Sequence, residues 1–387
     1  MFVLNQWPHG SGARVAGVSK HESAGPVPEP RVAPPPPPPE PGDFAPGFHL
    51  ADQRGEPVLL RGDAVAGKPV MLVFVPISPG AAELDELRAF AAAGGEAQTL
   101  GAMLFAIRDA TPEENARLAA AHALPFQILS DPGGRLRAVY GLAEGGLASA
   151  LLTPNQRVAL LLGREAPAAG QAGRLVAALR EATEQIRPVT MAPHPPVLIV
   201  PDALSREECR DLIRLHDREG TPVKTGADYR GETGDFKIAI NDYGRVDRVD
   251  YVIQDRALQK RIDGRIGRRV LPEVLKAFQY RVTKREKFHV ARYEGSRGGF
   301  QHGHRDNPTP ELAHRRFALS LNLNVDEYEG GTLRFPEYGD QRYKVATGAA
   351  LVFSSSLFHE VMEVTSGVRY VLLSHFYGED DRQVRSR

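Results

Sequence analysis

The sequence predicts two folded domains, an α/β domain in the first half and a β-rich jelly roll with flanking helices in the second. In residues 41–186, continuous apolar runs alternate with helix-like segments, which is typical of a partly parallel sheet covered by helices. In residues 288–377, short β-rich segments follow one another across Gly-rich turns, which is typical of two packed sheets. A chain of 387 residues is long enough for two separate cores.

The composition excludes several classes of partner. The chain has 48 basic and 48 acidic side chains, so its overall charge predicts neither nucleic-acid nor membrane-surface binding. No apolar run approaches the roughly 20 residues that cross a bilayer, and the first residues do not form a secretory signal. Cys209 is the single cysteine, which excludes an internal disulfide and favours a cytoplasmic location.

Two Pro-rich segments divide the chain. Residues 1–40 end in the six prolines Pro34 to Pro39 and are predicted to form a disordered tail that contains a polyproline-II spacer. A partner with an aromatic groove is the alternative interpretation of this tail. Residues 187–196 are predicted to be a linker, which places the second domain at residues 197–387.

The first domain begins with predicted strands at 48–50 and 57–60, followed by buried strands at 69–75 and 102–107. A helix is predicted over 81–93. A second helix begins after Thr111, because Thr111 is a suitable cap, Pro112 occupies the first helical position, and acidic residues follow.

The second domain begins with a predicted strand at 197–200 and a helix that opens with a capping box of Ser205 and Glu208. Cys209 lies within this helix without neighbouring metal ligands, so we expect a buried structural cysteine. Residues 256–278 are predicted to be mainly helical. Further strands are predicted at 288–293, 317–325, 332–335, 349–353 and 368–377.

Three side chains form a candidate metal site: His304, Asp306 and His359. Two imidazoles and one carboxylate are the ligands of the facial triad that holds Fe(II) and leaves coordination positions open. Alternate side chains of a strand share a face, so His304 and Asp306 can point to one ion, while His359 must come from elsewhere in the fold. Arg369, ten residues after His359, could hold an anionic co-substrate.

Residues near the triad suggest a pocket. The segment 317–325 alternates between an apolar face and a polar face that includes Asn322. Tyr293 lies at the end of a predicted strand, where its phenol could bind a carboxylate or simply occupy the core. His302 and Glu360 are predicted to be neighbours of the site rather than further ligands, since they would use up the open positions.

The first half of the chain resembles a peroxiredoxin of the thioredoxin-fold superfamily. The resemblance rests on GDFAPGF at 42–48, GKPVMLVF at 67–74 and ILSDPGG at 128–134. The family's peroxide-reducing cysteine should follow the strand that ends at Val75, where this sequence has PISPGAA. A serine hydroxyl cannot replace a thiolate at neutral pH. We therefore expect a thioredoxin-like domain without peroxidase activity, serving as a scaffold, a dimerisation surface or a substrate-docking module.

The second half resembles the prolyl 4-hydroxylase branch of the 2-oxoglutarate, Fe(II)-dependent dioxygenases. The resemblance rests on Tyr293, HRD at 304–306, EGGTLRFP at 329–336, GAALVF at 348–353, HEV at 359–361 and Arg369. It implies a double-stranded β-helix (jelly roll) in which His304, Asp306 and His359 bind Fe(II). Arg369, with Tyr293 and Asn322, would bind 2-oxoglutarate as co-substrate, and a guanidinium suits its carboxylate.

The expected activity is hydroxylation of an unidentified peptide, amino acid or small molecule, with consumption of O2 and 2-oxoglutarate and with L-ascorbate as a candidate further cofactor. The alternative is a non-enzymatic binding or scaffold protein in which both domains are degenerate. An active thiol peroxidase is excluded because Cys209 stands at the wrong place. A homodimer is one possible oligomeric state. The loops 224–245 and 307–315 are expected to determine which substrate is bound.

Overall fold

The computed structural model describes residues 37–381 except 144, 164–169, 185–189, 191–192, 220, 223–248 and 298. Several predictions therefore fall partly or wholly outside the described residues. They concern the Pro-rich tail as far as residue 36, residues 187–189 and 191–192 of the linker, and the loop 224–245.

The first domain is built on a seven-stranded mixed sheet. Its strands are β1 (His49–Ala51), β2 (Pro57–Leu59), β3 (Val70–Val75), β4 (Met103–Arg108), β5 (Gln127–Ser130), β6 (Ala148–Leu152) and β7 (Val158–Leu162). The strand order is β2-β1-β5-β4-β3-β6-β7. Strands β3, β4 and β5 are parallel, and the other neighbouring pairs are antiparallel. The predicted partly parallel sheet is confirmed.

Strand β3 is the centre of this domain, since all six of its residues are buried. Met71 and Val73 belong to the apolar cluster on one face of the sheet, and Leu72 and Phe74 belong to the cluster on the other. Four helices accompany the sheet: α1 (Ala81–Thr99), α2 (Pro112–Ala121), α3 (Arg135–Val139) and α4 (Gln171–Glu184). The continuous apolar run therefore reflects a strand that is covered on both sides.

The elements of the first domain extend the prediction in several places. Helix α1 continues to Thr99 rather than ending near residue 93. The predicted cap of α2 is confirmed, because the Thr111 hydroxyl accepts from the backbone N–H of Glu114. Strands β6 and β7 and helix α4 were not predicted, although Gly145 and Gly146 precede β6 and the turn residues Thr153 to Asn155 separate β6 from β7.

The second domain contains two facing sheets. Its strands are β8 (Val197–Val200), β9 (Thr221–Pro222), β10 (Val249–Val252), β11 (Lys284–Arg285), β12 (His289–Glu294), β13 (Gln301–His304), β14 (Phe317–Asn322), β15 (Tyr328–Gly330), β16 (Leu333–Arg334), β17 (Arg342–Tyr343), β18 (Ala350–Ser354), β19 (His359–Val361) and β20 (Val364–Tyr377). The major sheet has the order β8-β18-β14-β20-β12-β10-β9, with β11 and β15 also paired to β20. The minor sheet has the order β13-β19-β16-β17.

Alternation along the major sheet assigns its two faces. On β14, Leu319 and Leu321 belong to the cluster behind the sheet, whereas Ala318 belongs to the cluster that lies between the two sheets. The cluster between the sheets includes Phe335 of the loop after β16 and Phe353 of β18. This arrangement is the predicted jelly roll. Strand β14 ends at Asn322 rather than residue 325, because a turn of 3₁₀ helix begins at Val325.

Three helices cover the back of the major sheet: α5 (Arg206–Glu219), α6 (Arg256–Arg269) and α7 (Leu271–Phe278). Cys209 is buried there, and the capping box of Ser205 and Glu208 is confirmed by both of its hydrogen bonds. The segment 256–278 is mainly helical, as predicted, and is divided into α6 and α7, because Pro272 lacks an N–H and its ring blocks the carbonyl four residues earlier. Within the described ranges, no helix is long and apolar enough to cross a membrane.

The two domains meet through a buried set of charges. Arg157 of the first domain and Glu273 of α7 form an ion pair at 3.0 Å, and a second pair joins Asp43 to Arg269 of α6. All four residues are 3–7% exposed. Gly42 lies in the same interface with a φ of 91°, and an added Cβ would lie 3.1 Å from the carbonyl oxygen of Asp202. The first domain thus docks on the helices behind the major sheet.

Candidate metal centre

The structure brings the three predicted ligands together at one end of the minor sheet. His304 is the last residue of β13, His359 is the first of β19, and the two stand opposite each other in the antiparallel ladder. Their ring centroids are 4.4 Å apart. One ligand atom from each of these histidines and from Asp306 lies within 4.8 Å of the others. This arrangement is small enough for a single metal ion.

Asp306 reaches the site in a different way from the prediction. The expectation that His304 and Asp306 share one strand is wrong, because β13 ends at His304. Ser355 lies on the turn before β19, and its carbonyl oxygen accepts a hydrogen bond from the backbone N–H of Asp306 at 2.9 Å. This bond ties the segment that carries Asp306 to the segment that carries His359.

Hydrogen bonds orient both imidazoles for metal binding. Nδ1 of His304 lies 2.9 Å from the carbonyl oxygen of His302, and Nδ1 of His359 lies 2.9 Å from that of Leu357. A carbonyl oxygen only accepts, so Nδ1 carries the proton in each ring. The lone pair of each neutral ring is then on Nε2, which faces the carboxylate of Asp306.

The electrostatics of the centre favour the protonation states of metal ligands. Burial lowers the pKa of His359 to about 4, although the charge of Asp306 opposes this shift. Burial would raise the pKa of Asp306, but the neighbouring His359, His375 and His304 outweigh it and hold that pKa well below its usual range. Oδ2 of Asp306 is buried and has no hydrogen-bond partner among the described residues. A divalent cation fits this donor set, since it would satisfy the unpaired oxygen.

Arg369 provides a buried cationic group beside the centre. It lies on β20 opposite Tyr293 and is 3% exposed. Its Nε and Nη1 have no hydrogen-bond partner within the described part of the chain, while Nη2 lies 3.5 Å from Oδ1 of Asn322. A buried charge without a partner is costly. The guanidinium therefore has the vacant donors that an anionic ligand would need.

The other two predicted residues lie around this guanidinium. The Arg369 guanidinium carbon is 5.1 Å from the centroid of the Tyr293 ring. The phenol of Tyr293 donates to Oε1 of Gln301, and Nε2 of Gln301 lies 3.0 Å from Nε2 of His304. Asn322 is held by the bond from its Nδ2 to the carbonyl oxygen of Val345. Contacts thus lead continuously from Arg369 to the metal ligands.

Tyr328 is a residue of this pocket that the sequence did not single out. Its hydroxyl is buried beside Arg369, and burial raises its pKa although the charge of Arg369 and a side-chain hydrogen bond with it oppose the shift. Gly331 has a φ of 57°, and an added Cβ would lie 2.9 Å from Cδ of Arg369 and 3.1 Å from Cε2 of Tyr328. The available signal was the tyrosine two residues before the glycine pair Gly330 and Gly331.

The two neighbouring groups, His302 and Glu360, are not part of the ligand cluster. His302 is exposed and packs against the ring of Phe300. Glu360 pairs with the guanidinium of Arg334, which also pairs with Asp340. The expectation that they are neighbours rather than ligands agrees with these contacts.

The first domain has no comparable centre at the position expected for a peroxidase. After β3, Ile77 is 60% exposed and its carbonyl oxygen accepts from Nε of Arg108 at 3.2 Å. Cys209 is fully buried in the other domain, where burial raises the pKa of its thiol to about 12. Such a thiol is inert, as expected for a structural cysteine.

Comparison with known proteins finds one matching family in each half of the chain. Residues 41–159 match the AhpC/TSA family, and residues 288–377 match the 2OG-Fe(II) oxygenase superfamily. The chain is 32% identical over 101 residues to the chloroplastic peroxiredoxin Q of Sedum lineare, a match that covers 26% of this chain and 53% of the relative. It is 27% identical over 141 residues to a PKHD-type hydroxylase of Prochlorococcus marinus, covering 35% and 62%. The chain thus spans less than two thirds of either relative.

Solved structures similar to the first domain include the peroxidoxin BcpB of Mycobacterium tuberculosis. That structure is 22% identical, covers 37% of this chain and 97% of its own, and has a TM-score of 0.34. A peroxiredoxin Q structure of Xanthomonas campestris is 20% identical, covers 35% and 91%, and has a TM-score of 0.33. The two family matches alone show an AhpC/TSA-type, peroxiredoxin-like domain at residues 41–159 followed by a 2OG-Fe(II) oxygenase domain at residues 288–377.

Proposed function

We propose that the second domain is an Fe(II)- and 2-oxoglutarate-dependent hydroxylase that acts on a peptide, an amino acid or a small molecule. The observation that carries the proposal is the ligand cluster together with the buried guanidinium of Arg369, which contacts connect to His304 through Tyr293 and Gln301. The similarity of residues 288–377 to the 2OG-Fe(II) oxygenase superfamily supports the same activity. A relative that is named a PKHD-type hydroxylase supports it as well.

In this proposal, Nε2 of His304, Nε2 of His359 and the carboxylate of Asp306 hold Fe(II). The bound metal, with 2-oxoglutarate and O2, would supply the oxidising chemistry that converts a substrate C–H into C–OH, with succinate and CO2 as the other products. The protein orients its two imidazoles by their Nδ1–H bonds to backbone carbonyls, so that only Nε2 is offered to the ion.

Arg369 would bind the distal carboxylate of 2-oxoglutarate. Nη1 has no hydrogen-bond partner in the described residues and Nη2 has only the long 3.5 Å contact with Asn322, and these two nitrogens form the fork that matches the two oxygens of a carboxylate. The hydroxyl of Tyr328, beside the same guanidinium, could donate a further bond. The ring of Tyr293 covers one side of the guanidinium.

Aromatic side chains would shield the centre from water. The ring centroid of Phe353 lies 4.8 Å from that of His359, and Phe335 packs against Phe353 at 5.0 Å. Both phenylalanines are at most 2% exposed. A dry wall strengthens the electrostatic interactions inside the pocket and limits side reactions of the oxidant.

Succinate release from 2-oxoglutarate tests the proposal. Purified full-length protein with Fe(II), 2-oxoglutarate and candidate substrates should form succinate, and His304→Ala should abolish it. His302→Ala is the matched control, because His302 is exposed and offers His304 only its backbone carbonyl. If the wild type neither binds iron nor releases succinate with any candidate, the hydroxylase assignment is wrong.

The second candidate is a non-enzymatic binding or scaffold protein. The missing thiol of the first domain favours this role for residues 41–186. Because that domain docks behind the major sheet, it would serve as a scaffold that stabilises the second domain. For the second domain, the complete donor set argues against it. The proposal includes L-ascorbate as a reductant, which succinate assays with and without ascorbate would test. It also includes a cytoplasmic location.

A further inference from the structure

The two carboxylate oxygens of Asp306 have different surroundings. Oδ1 lies 3.4 Å from Nε2 of His304 and 3.5 Å from Nε2 of His375. Oδ2 lies 3.7 Å from Nε2 of His359 and is the oxygen that has no hydrogen-bond partner in the described residues. The asymmetry comes from His375, which is not one of the clustered metal ligands.

His375 is itself held from the opposite side. It lies on β20, and its Nδ1 is 3.4 Å from Oε2 of Glu286. Arg315 donates to both oxygens of Glu286, at 2.7 and 2.8 Å, and His314 contacts Oε1 at 2.8 Å. These contacts fix the position of the Glu286 carboxylate, which in turn contacts the imidazole of His375.

The network returns to its starting point. Nη1 of Arg315 donates to the backbone carbonyl oxygen of Asp306 at 3.1 Å. A closed ring therefore runs from the Asp306 carboxylate through His375, Glu286 and Arg315 to the Asp306 backbone. A ring of this kind restrains both the position of the residue and the rotation of its carboxylate.

We propose that His375, supported by Glu286, is a positioning residue that occupies Oδ1 of Asp306 and leaves Oδ2 alone to bind the metal. The inference rests on the proposed metal site and adds the binding mode of its carboxylate. The binding mode of Asp306 determines how many coordination positions of the metal stay open. Two imidazoles and one carboxylate oxygen leave three of six positions open, whereas a bidentate Asp306 would leave two.

That difference matters for the proposed reaction. The proposed reaction would need open positions for both 2-oxoglutarate and O2. A carboxylate free to rotate onto the metal with both oxygens would compete for one of these positions. His375 would oppose this rotation by holding Oδ1, from which its Nε2 lies 3.5 Å.

Metal affinity tests the role without relying on turnover. Co(II), added to the full-length protein without 2-oxoglutarate, serves as the probe, and the dissociation constant is measured by titration calorimetry. His375→Leu should raise that constant about 10- to 100-fold, the usual cost of losing a residue that orients a metal ligand. His375→Gln keeps an N–H donor of similar reach and should stay closer to the wild type than His375→Leu.

The control variant is His216→Leu. His216 is a buried histidine of the same domain that contacts the carbonyl oxygen of Val249, the carboxylate of Asp217 and the ring of Tyr370. It should lower thermal stability and leave the Co(II) affinity unchanged. If His375→Leu does not fold, His375→Asn replaces it. The side chain introduced by His375→Asn is one methylene shorter than the one introduced by His375→Gln, so its amide cannot reach Oδ1 of Asp306.

Infrared spectroscopy reports the binding mode directly. In the Co(II)-minus-apo difference spectrum, a wide separation of the asymmetric and symmetric carboxylate stretches indicates one bound oxygen, and a narrow separation indicates two. We expect a wide separation in the wild type and in His375→Gln, and a narrow one in His375→Leu. If His375→Leu leaves both the carboxylate bands and the Co(II) affinity unchanged, the inference is wrong. It is also wrong if His375→Gln and His375→Leu lose the same Co(II) affinity while the carboxylate bands stay unchanged.

The same measurements separate this inference from the proposed function. A wild type that binds no Co(II) overturns both. A wild type that binds Co(II) with the expected spectra but never releases succinate with any candidate overturns the hydroxylase and leaves the role of His375 supported.

Discussion

Nε of Arg269 donates a hydrogen bond to Oδ1 of Asp43 at 2.7 Å, and this buried pair joins the two domains across 226 residues of sequence. The same guanidinium donates to the backbone carbonyls of Pro41 and Asp202, so it satisfies groups from both domains. Because these contacts are buried, the peroxiredoxin-like domain is attached to the oxygenase domain by more than the connecting chain.

Removing the carboxylate should destabilise the protein. Asp43→Ala leaves a buried guanidinium without its counter-ion, and we expect the free energy of unfolding to fall by about 3 kcal/mol. Urea denaturation followed by intrinsic fluorescence measures the change. Asp85→Ala is the control, since Asp85 forms an exposed pair with Arg88 and its loss should cost less than about 0.5 kcal/mol. Equal effects of the two variants would contradict the role of the buried pair.

The stabilisation by Asp43 should depend on pH in one direction. Burial would raise the pKa of Asp43, but the hydrogen bond from Arg269 and the bond from the backbone of Glu40 outweigh it, so the pKa is lowered from 3.8. A lowered pKa in the folded state stabilises the protein above the unfolded-state value, and the effect is lost as the pH falls through the folded-state pKa. The stability difference between wild type and Asp43→Asn should thus be constant above about pH 5 and shrink below pH 3.8. A difference that grows on acidification would refute this assignment.

Tyr328→Phe should weaken binding of 2-oxoglutarate. The variant removes the buried hydroxyl beside Arg369 and leaves the ring in place. A hydrogen bond to a charged group is worth about 1.5–3 kcal/mol, so the KM for 2-oxoglutarate should rise roughly tenfold or more while kcat changes little. Tyr338→Phe is the control, because Tyr338 is an exposed tyrosine. An unchanged KM would remove Tyr328 from the binding pocket.

Arg369→Lys and Arg369→Ala should differ in effect. A lysine keeps the charge but offers a point donor instead of the fork that Nη1 and Nη2 provide, so we expect a moderate rise in the KM for 2-oxoglutarate. Arg369→Ala should abolish measurable binding and leave Co(II) binding intact, since Arg369 is not among the clustered ligands. Tight 2-oxoglutarate binding by Arg369→Ala would place the co-substrate elsewhere.

Cys209 should be unreactive in the folded protein. With a pKa of about 12, roughly one thiol in ten thousand is ionised at pH 8, and the side chain is fully buried. A thiol reagent such as DTNB should therefore label it only after denaturation, and the native protein should not consume hydrogen peroxide at enzymatic rates. Rapid labelling of the native protein would show that the thiol is accessible.

Much of the candidate site was predictable from the sequence because it depends on residue chemistry. The ligand types, the basic residue after His359 and the absence of a cysteine after β3 are properties of the chain itself. The strands with long apolar runs or regular alternation, such as β3 and β14, were also predictable, because burial on one or two faces leaves a local pattern.

Other features depend on contacts between residues far apart in sequence, and no local pattern reports them. The ladder that sets His304 opposite His359, the approach of Tyr328 to Arg369, and the ring that leads from Asp306 through His375 to Glu286 all arise when separate strands pair. The docking of Asp43 on Arg269 follows the same rule at the scale of domains. Sequence chemistry thus identifies the donors, whereas strand pairing determines which donor atoms meet and which stay unpaired for a ligand.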